Sequence, residues 1–285
     1  MTRVPAQLML AILSLVGLAL FGWPFVAEAA TPDLPALAIG IGALAGLVLT
    51  EIGARRLDAR MLALLAAIAA IDAGLRLALV TGIAGFSPIF FLVLCAGYAF
   101  GPSYGFQAGA VALLVSAVAT GGIGPWLPFQ LFGVGWVGLA AGLIGGFVGR
   151  LTGRGAADSP TRRDLLILAI VGALMGLAYG GLLDVWDWTY FRGAGDLAWV
   201  PGLPLPEMLQ RFGRFYLVTS LGYDSFRAVG NAVMVLTLGA PVLAAFWRIR
   251  VRSSFRIVDA VAVDTMAAGV QRPPVATDDQ RPMRS

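Results

Sequence analysis

Two groups of ionisable side chains interrupt otherwise apolar stretches of the sequence. Asp72 and Arg76 stand four residues apart within 61–81, so on a helix they share a face about one turn from each other. Asp224, Arg227 and Asn231 repeat this at i, i+3 and i+7 within 215–247. A charge in a membrane is costly unless it is paired or faces a polar cavity. Each group therefore reads either as an internal ion pair that fixes helix packing or as part of a cavity for an organic solute, and the two readings are compatible. Aromatic residues gather near the same helix ends: Trp126 and Phe129, then Trp186, Trp188, Tyr190, Phe191 and Trp199, then Phe212, Phe215, Tyr216 and Tyr223. An interfacial belt accounts for part of this set. The remainder would suit a pocket rim, with Asp184 and Asp187 bracketing Trp186 and Gln130 as a neutral contact.

Composition narrows the chemistry. All 20 basic residues are Arg, with no Lys and no His. Without Lys there is no Walker-type phosphate loop, so the chain does not energise itself with ATP. Without His it lacks the commonest zinc ligand and general base. The single Cys95 forms no intrachain disulfide. No resident cofactor or metal is expected.

The elements that must position these residues are membrane helices. The 285 residues are 59% hydrophobic and 13% charged, against roughly 25% charged in a soluble domain, and the mean hydropathy is +0.84. Apolar blocks run over 5–23, 35–53, 61–81, 87–100, 104–120, 127–149, 164–186 and 215–247. They predict an all-α polytopic protein of about eight transmembrane helices, a span needing about 20 residues. The fourth block is short and opens at Pro88, and the last is long enough to overshoot the membrane or to kink near Gly239 and Pro241. Arginines alternate between the two sides. One side holds Arg3, Arg55, Arg56, Arg60, Arg150, Arg154, Arg162, Arg163, Arg248, Arg250, Arg252 and Arg256, and the other only Arg192, Arg211 and Arg214. The positive-inside rule makes the first side cytoplasmic, with both termini there; a bacterial plasma membrane is the expected location. The same distribution makes the net charge of +4 a mark of topology and not of a nucleic-acid partner. A signal-peptidase site at Ala27-Glu28-Ala29 would remove the first span without changing the orientation of the rest. The outer stretch 187–214 is expected to be a Pro-rich loop able to act as a lid, and the tail 251–285 to be disordered.

Small residues recur at spacings of four: Ala63/Ala67, Ala66/Ala70 and Ala69/Ala73 in the third block, Gly105/Gly109 in the fifth and Gly138/Gly142/Gly146 in the sixth. Such faces let helix backbones approach closely. On the third block the ridge is extensive enough to serve a partner helix as well.

The stretch Pro88-Ile-Phe-Phe-Leu to Gly101-Pro-Ser-Tyr-Gly-Phe, the turn Thr120-Gly-Gly-Ile-Gly-Pro-Trp-Leu-Pro-Phe-Gln130 and the late Thr219-Ser-Leu-Gly-Tyr-Asp-Ser-Phe-Arg-Ala-Val-Gly-Asn231 resemble the substrate-binding S components of energy-coupling factor vitamin transporters. The resemblance covers roughly 60–250 and implies a six-helix core over 59–250, preceded by two extra N-terminal helices within 1–58. It implies a subunit that binds a vitamin from outside, then joins a membrane coupling subunit and two ATPase subunits. It makes Ala63, Ala66, Ala67 and Ala70 the candidate docking face. Arg76, Asp72, Trp126, Gln130, Asp184, Trp188, Tyr223, Asp224, Arg227 and Asn231 become the candidate solute contacts. Cobalamin or a related corrinoid is the first ligand the resemblance suggests, ahead of riboflavin and a thiamine precursor.

Two other classes compete with this non-enzymatic reading. A proton-coupled secondary carrier would use Asp72 and Asp224 as relay carboxylates, although no internal repeat is visible. A membrane enzyme would need a polar constellation such as Asp184, Asp187 and Asp196, with a metal.

Overall fold

The computed structural model describes residues 6–27, 33–53, 57–78, 89–153, 159–191 and 195–269. Among these the chain is all-helical: α1 (Ala6–Ala27), α2 (Asp33–Gly53), α3 (Ala59–Ala78), α4 (Ile89–Phe100), α5 (Pro102–Thr120), α6 (Leu127–Leu151), α7 (Arg162–Phe191), α8 (Leu205–Thr219) and α9 (Leu221–Gly269), with a 3-10 turn at Gly195–Leu197. Six of them, α1, α2, α5, α6, α7 and α9, contain segments long and apolar enough to cross a membrane. The chain is a multi-pass membrane protein. The α3 helix has the length but carries Arg60, Asp72 and Arg76, and α4 has only 12 residues. Pro88, Arg3, Arg55, Arg56, Arg154 and Arg192 lie outside the described residues, as does the Glu28-Ala29 part of the candidate cleavage site.

At the centre, α4, α5 and α6 meet along a glycine seam. A side-chain carbon at Gly138 would fall on the carbonyl of Gly105, and one at Gly97 on the carbonyl of Gly138. At Gly109 it would collide with Val134, and at Gly142 with Gly101 and Pro102. Glycine is required here because backbone packs on backbone. The spacing expected at 138, 142 and 146 continues instead through Gly145, which lies against the Tyr98 backbone, while Gly146 faces only the end of the Arg150 side chain.

The two N-terminal helices pack on this core. Gly17 of α1 lies against the Phe132 and Trp136 rings, and Gly40 of α2 lies against Pro128. Trp136 Nε1 donates to Ser14 Oγ at 3.1 Å, and Ser103 Oγ donates to the buried Glu51 at 2.8 Å. At the same end of the bundle as Glu51, the Tyr98 hydroxyl donates to Asp164 at 2.6 Å. Asp164 also accepts from the Thr161 backbone and hydroxyl at the start of α7, in the manner of a capping box.

Two stretches differ from expectation. The segment 187–214 is mostly helical: α7 continues to Phe191, and α8 begins at Leu205. Phe212 and Phe215 of α8 pack on Trp188, beside Trp199 and Phe25. The last apolar block therefore divides into α8 and α9, joined at Ser220, and α9 passes through Pro241 without interruption and continues to Gly269. The tail expected to be disordered from 251 thus begins as helix, and 270–285 lie outside the described residues.

Candidate functional site

Where the α5–α6 turn, the last turns of α7 and the α8–α9 junction meet, a cavity of about 260 Å³ opens. This is the end of the bundle opposite Arg150, Arg162 and Arg250. The cavity is lined by Trp126 and Gln130 at the start of α6, by Gly180, Leu183, Asp184, Trp186 and Asp187 of α7, and by Thr219, Ser220, Tyr223, Asp224 and Arg227 around the α8–α9 junction. Trp126, Gln130, Asp184, Tyr223, Asp224 and Arg227, all expected from the sequence, are thus brought together.

Arg227 and Asp224, one turn apart on α9, form an ion pair, with the carboxylate only 2% exposed. The guanidinium also donates to the Gly176 carbonyl at 3.4 Å and lies 5.3 Å from the centre of the Tyr179 ring, within cation–π range. The Asp224 carboxylate occupies the place where any side chain at 180 would stand, so Gly180 is what lets α9 come this close to α7. Asp184 is 8% exposed and accepts a hydrogen bond from Ser220 at 2.9 Å. One oxygen of Asp184, one of Asp224 and the Arg227 Nε have no hydrogen-bond partner. Tyr216 of α8 lies beside Asp224 and interacts with its carboxylate. Burial first, and then that carboxylate, push its phenol up to about 12.

The aromatic wall is built in depth. Trp186 stacks on Tyr190 at 4.9 Å and packs against Phe129 at 5.6 Å, and Phe129 meets Phe21 of α1 edge-on at 5.0 Å.

The other four candidates lie elsewhere. Trp188 is two residues, about 200°, round α7 from Trp186. It turns away from the cavity into the α8 cluster, where its Nε1 donates to the Leu197 carbonyl at 2.6 Å. Asn231, fully buried, donates to the Gly172 carbonyl at 3.2 Å and so ties α9 to α7. Asp72 is fully buried on α3, with neither carboxylate oxygen hydrogen-bonded. Arg76 is within electrostatic reach of both Asp72 and Tyr179 but does not line the cavity.

Gly180, Leu183, Thr219 and Ser220 also line the cavity and are not among the residues expected from the sequence. The Gly176/Gly180 pair, four apart in α7, was the available signal for a close approach. Asp196 is exposed on the 3-10 turn and does not join Asp184 and Asp187. Among the described residues no group of three or more acidic or cysteine side chains is arranged to hold a metal ion.

On α3, Ala63, Ala66, Ala67 and Ala70 are all exposed among the described residues, while Ile68, Ala69, Asp72 and Ala73 face the bundle. No protein-family model, curated protein or solved structure matches the chain.

Proposed function

We propose that this protein is the solute-binding membrane subunit of an importer, working in the manner of an S component of an energy-coupling factor transporter. The observation that carries the reading is the cavity at the arginine-poor end. It gathers an ion pair, two further carboxylates and an aromatic wall from three separate stretches of the chain. By the positive-inside rule that end faces outward, and α3 and α4 complete an eight-span topology. The outward alanine face of α3 supports a second contact, with a membrane coupling subunit that would bring two ATPase subunits. Small residues there allow a partner helix to approach closely. At about 260 Å³ the cavity falls just below the range for drug-sized ligands, which favours a solute smaller than the corrinoid suggested by the resemblance.

The test is purification of the whole chain from its native membranes in mild detergent, with identification of the proteins that accompany it. A membrane coupling subunit and ATPase subunits are the expected companions. A preparation lacking them after cross-linking would sink the shared-ATPase reading. One observation favours a proton-coupled carrier instead: the Asp72 carboxylate, fully buried with neither oxygen hydrogen-bonded, is of the kind that relays protons in membranes. Uptake into liposomes driven by a proton gradient, with no other protein present, would establish that alternative.

A further inference from the structure

The charge balance of the cavity identifies the chemical class of its solute. Asp184, Asp187 and Asp224 line it, and Arg227 is the one cation among the described residues that do so. Because Arg227 is committed to Asp224, the described lining keeps a formal excess of two carboxylates over cations. Asp184 and Asp224 are each more than nine-tenths buried, and each keeps a carboxylate oxygen with no hydrogen-bond partner. A buried charged acceptor left without a donor costs free energy. A ligand that brings N–H donors and a positive charge would remove that cost at both residues. Trp126, Trp186 and Tyr223 supply flat apolar walls beside the carboxylates, and such faces attract both rings and cations. Among the described residues, an anionic solute would face the carboxylates with no unpaired cation to receive it.

We propose that the cavity binds a compact, planar organic cation bearing N–H donors, of the amidinium or protonated amino-heterocycle class. Its charged end sits between Asp184 and Asp224, and its ring lies against Trp126 and Trp186. The assignment rests on reading the cavity as the solute site and adds the sign of the solute's charge.

Three isosteric probes test it on the full-length chain in lipid nanodiscs: benzamidinium, neutral benzamide and anionic benzoate, each titrated against tryptophan fluorescence. The expected result is saturable binding of benzamidinium, roughly tenfold or more tighter than benzamide because of its charge-assisted hydrogen bonds, and no saturable binding of benzoate. Asp184→Asn should bring benzamidinium close to benzamide. Asp187→Asn, at a partly buried position with no hydrogen bond among the described residues, should weaken it by a smaller factor and keeps the test open if the first variant does not fold. Equal binding of benzamide, or preferential binding of benzoate, overturns the cation assignment while leaving a solute pocket in place. If none of the three binds saturably, the cavity is not a solute site and the proposed function loses its main support.

Discussion

Arg227 is held in three ways at once: by the Asp224 carboxylate, by the Gly176 carbonyl and by the face of Tyr179. Replacing it by Ala leaves a 2% exposed carboxylate without its partner. Breaking a buried pair from one side typically costs about 3–5 kcal/mol, so the Arg227→Ala protein should melt at a clearly lower temperature in detergent. Asp224→Asn combined with Arg227→Gln, which removes both charges, should recover most of that loss without restoring solute binding. If the double variant is no more stable than the single one, the pair is not the source of the stability. The charged members of the site were legible in the sequence because buried charges have few places to go. Gly180 and Ser220 were not, because a glycine or serine contributes only through the helix it happens to face. Trp188 illustrates the limit of reading aromatics as a group. The belt pattern does not tell a ring lining a cavity from one two residues on, which faces the other way.

Helix packing makes its own predictions. Gly138→Ala places a methyl on the Gly105 carbonyl, an overpacking that costs typically about 1–3 kcal/mol. Gly146→Ala, with only the Arg150 side-chain end within 4 Å, should melt like the parent. Equal melting of the two variants would remove the seam from the account. On α3, Ala66→Leu should leave solute binding intact and lower uptake and coupling-subunit recovery roughly tenfold, by blocking close helix approach. Normal uptake would show that this face docks nothing. The long apolar blocks located most helices to within a few residues, as 127–149 against Leu127–Leu151 shows. The division between α8 and α9 was hidden because Phe215, Tyr216, Leu217 and Val218 continue the apolar run up to the break at Ser220. In the sequence the α8 stretch reads as loop because it begins among prolines and mixes Glu207, Arg211 and Arg214 with its apolar residues.

For the whole molecule, the arginine asymmetry becomes an orientation that can be measured. Cys95 is fully buried, so single cysteines added elsewhere can be probed with a membrane-impermeant maleimide against a silent background. Ile123→Cys, in the exposed α5–α6 turn beside the cavity, should label in intact cells, and Thr152→Cys, exposed at the opposite end, only after permeabilisation. The reverse pattern would turn the cavity to the cytoplasm and end the importer reading. The ordering of the N-terminal pair against the core was not visible in the sequence, since nothing in an apolar segment names the helix it will touch. That packing affects the stiffness of the cavity wall. Phe21 of α1 backs Phe129, which backs Trp186, so the wall resists an entering solute with the rigidity of three helices. A void opened behind Phe129 by shortening Phe21 would leave Trp186 in the same place but more compliant. Anything that presses on α1 from the lipid side thereby gains a grip on how firmly the solute is held.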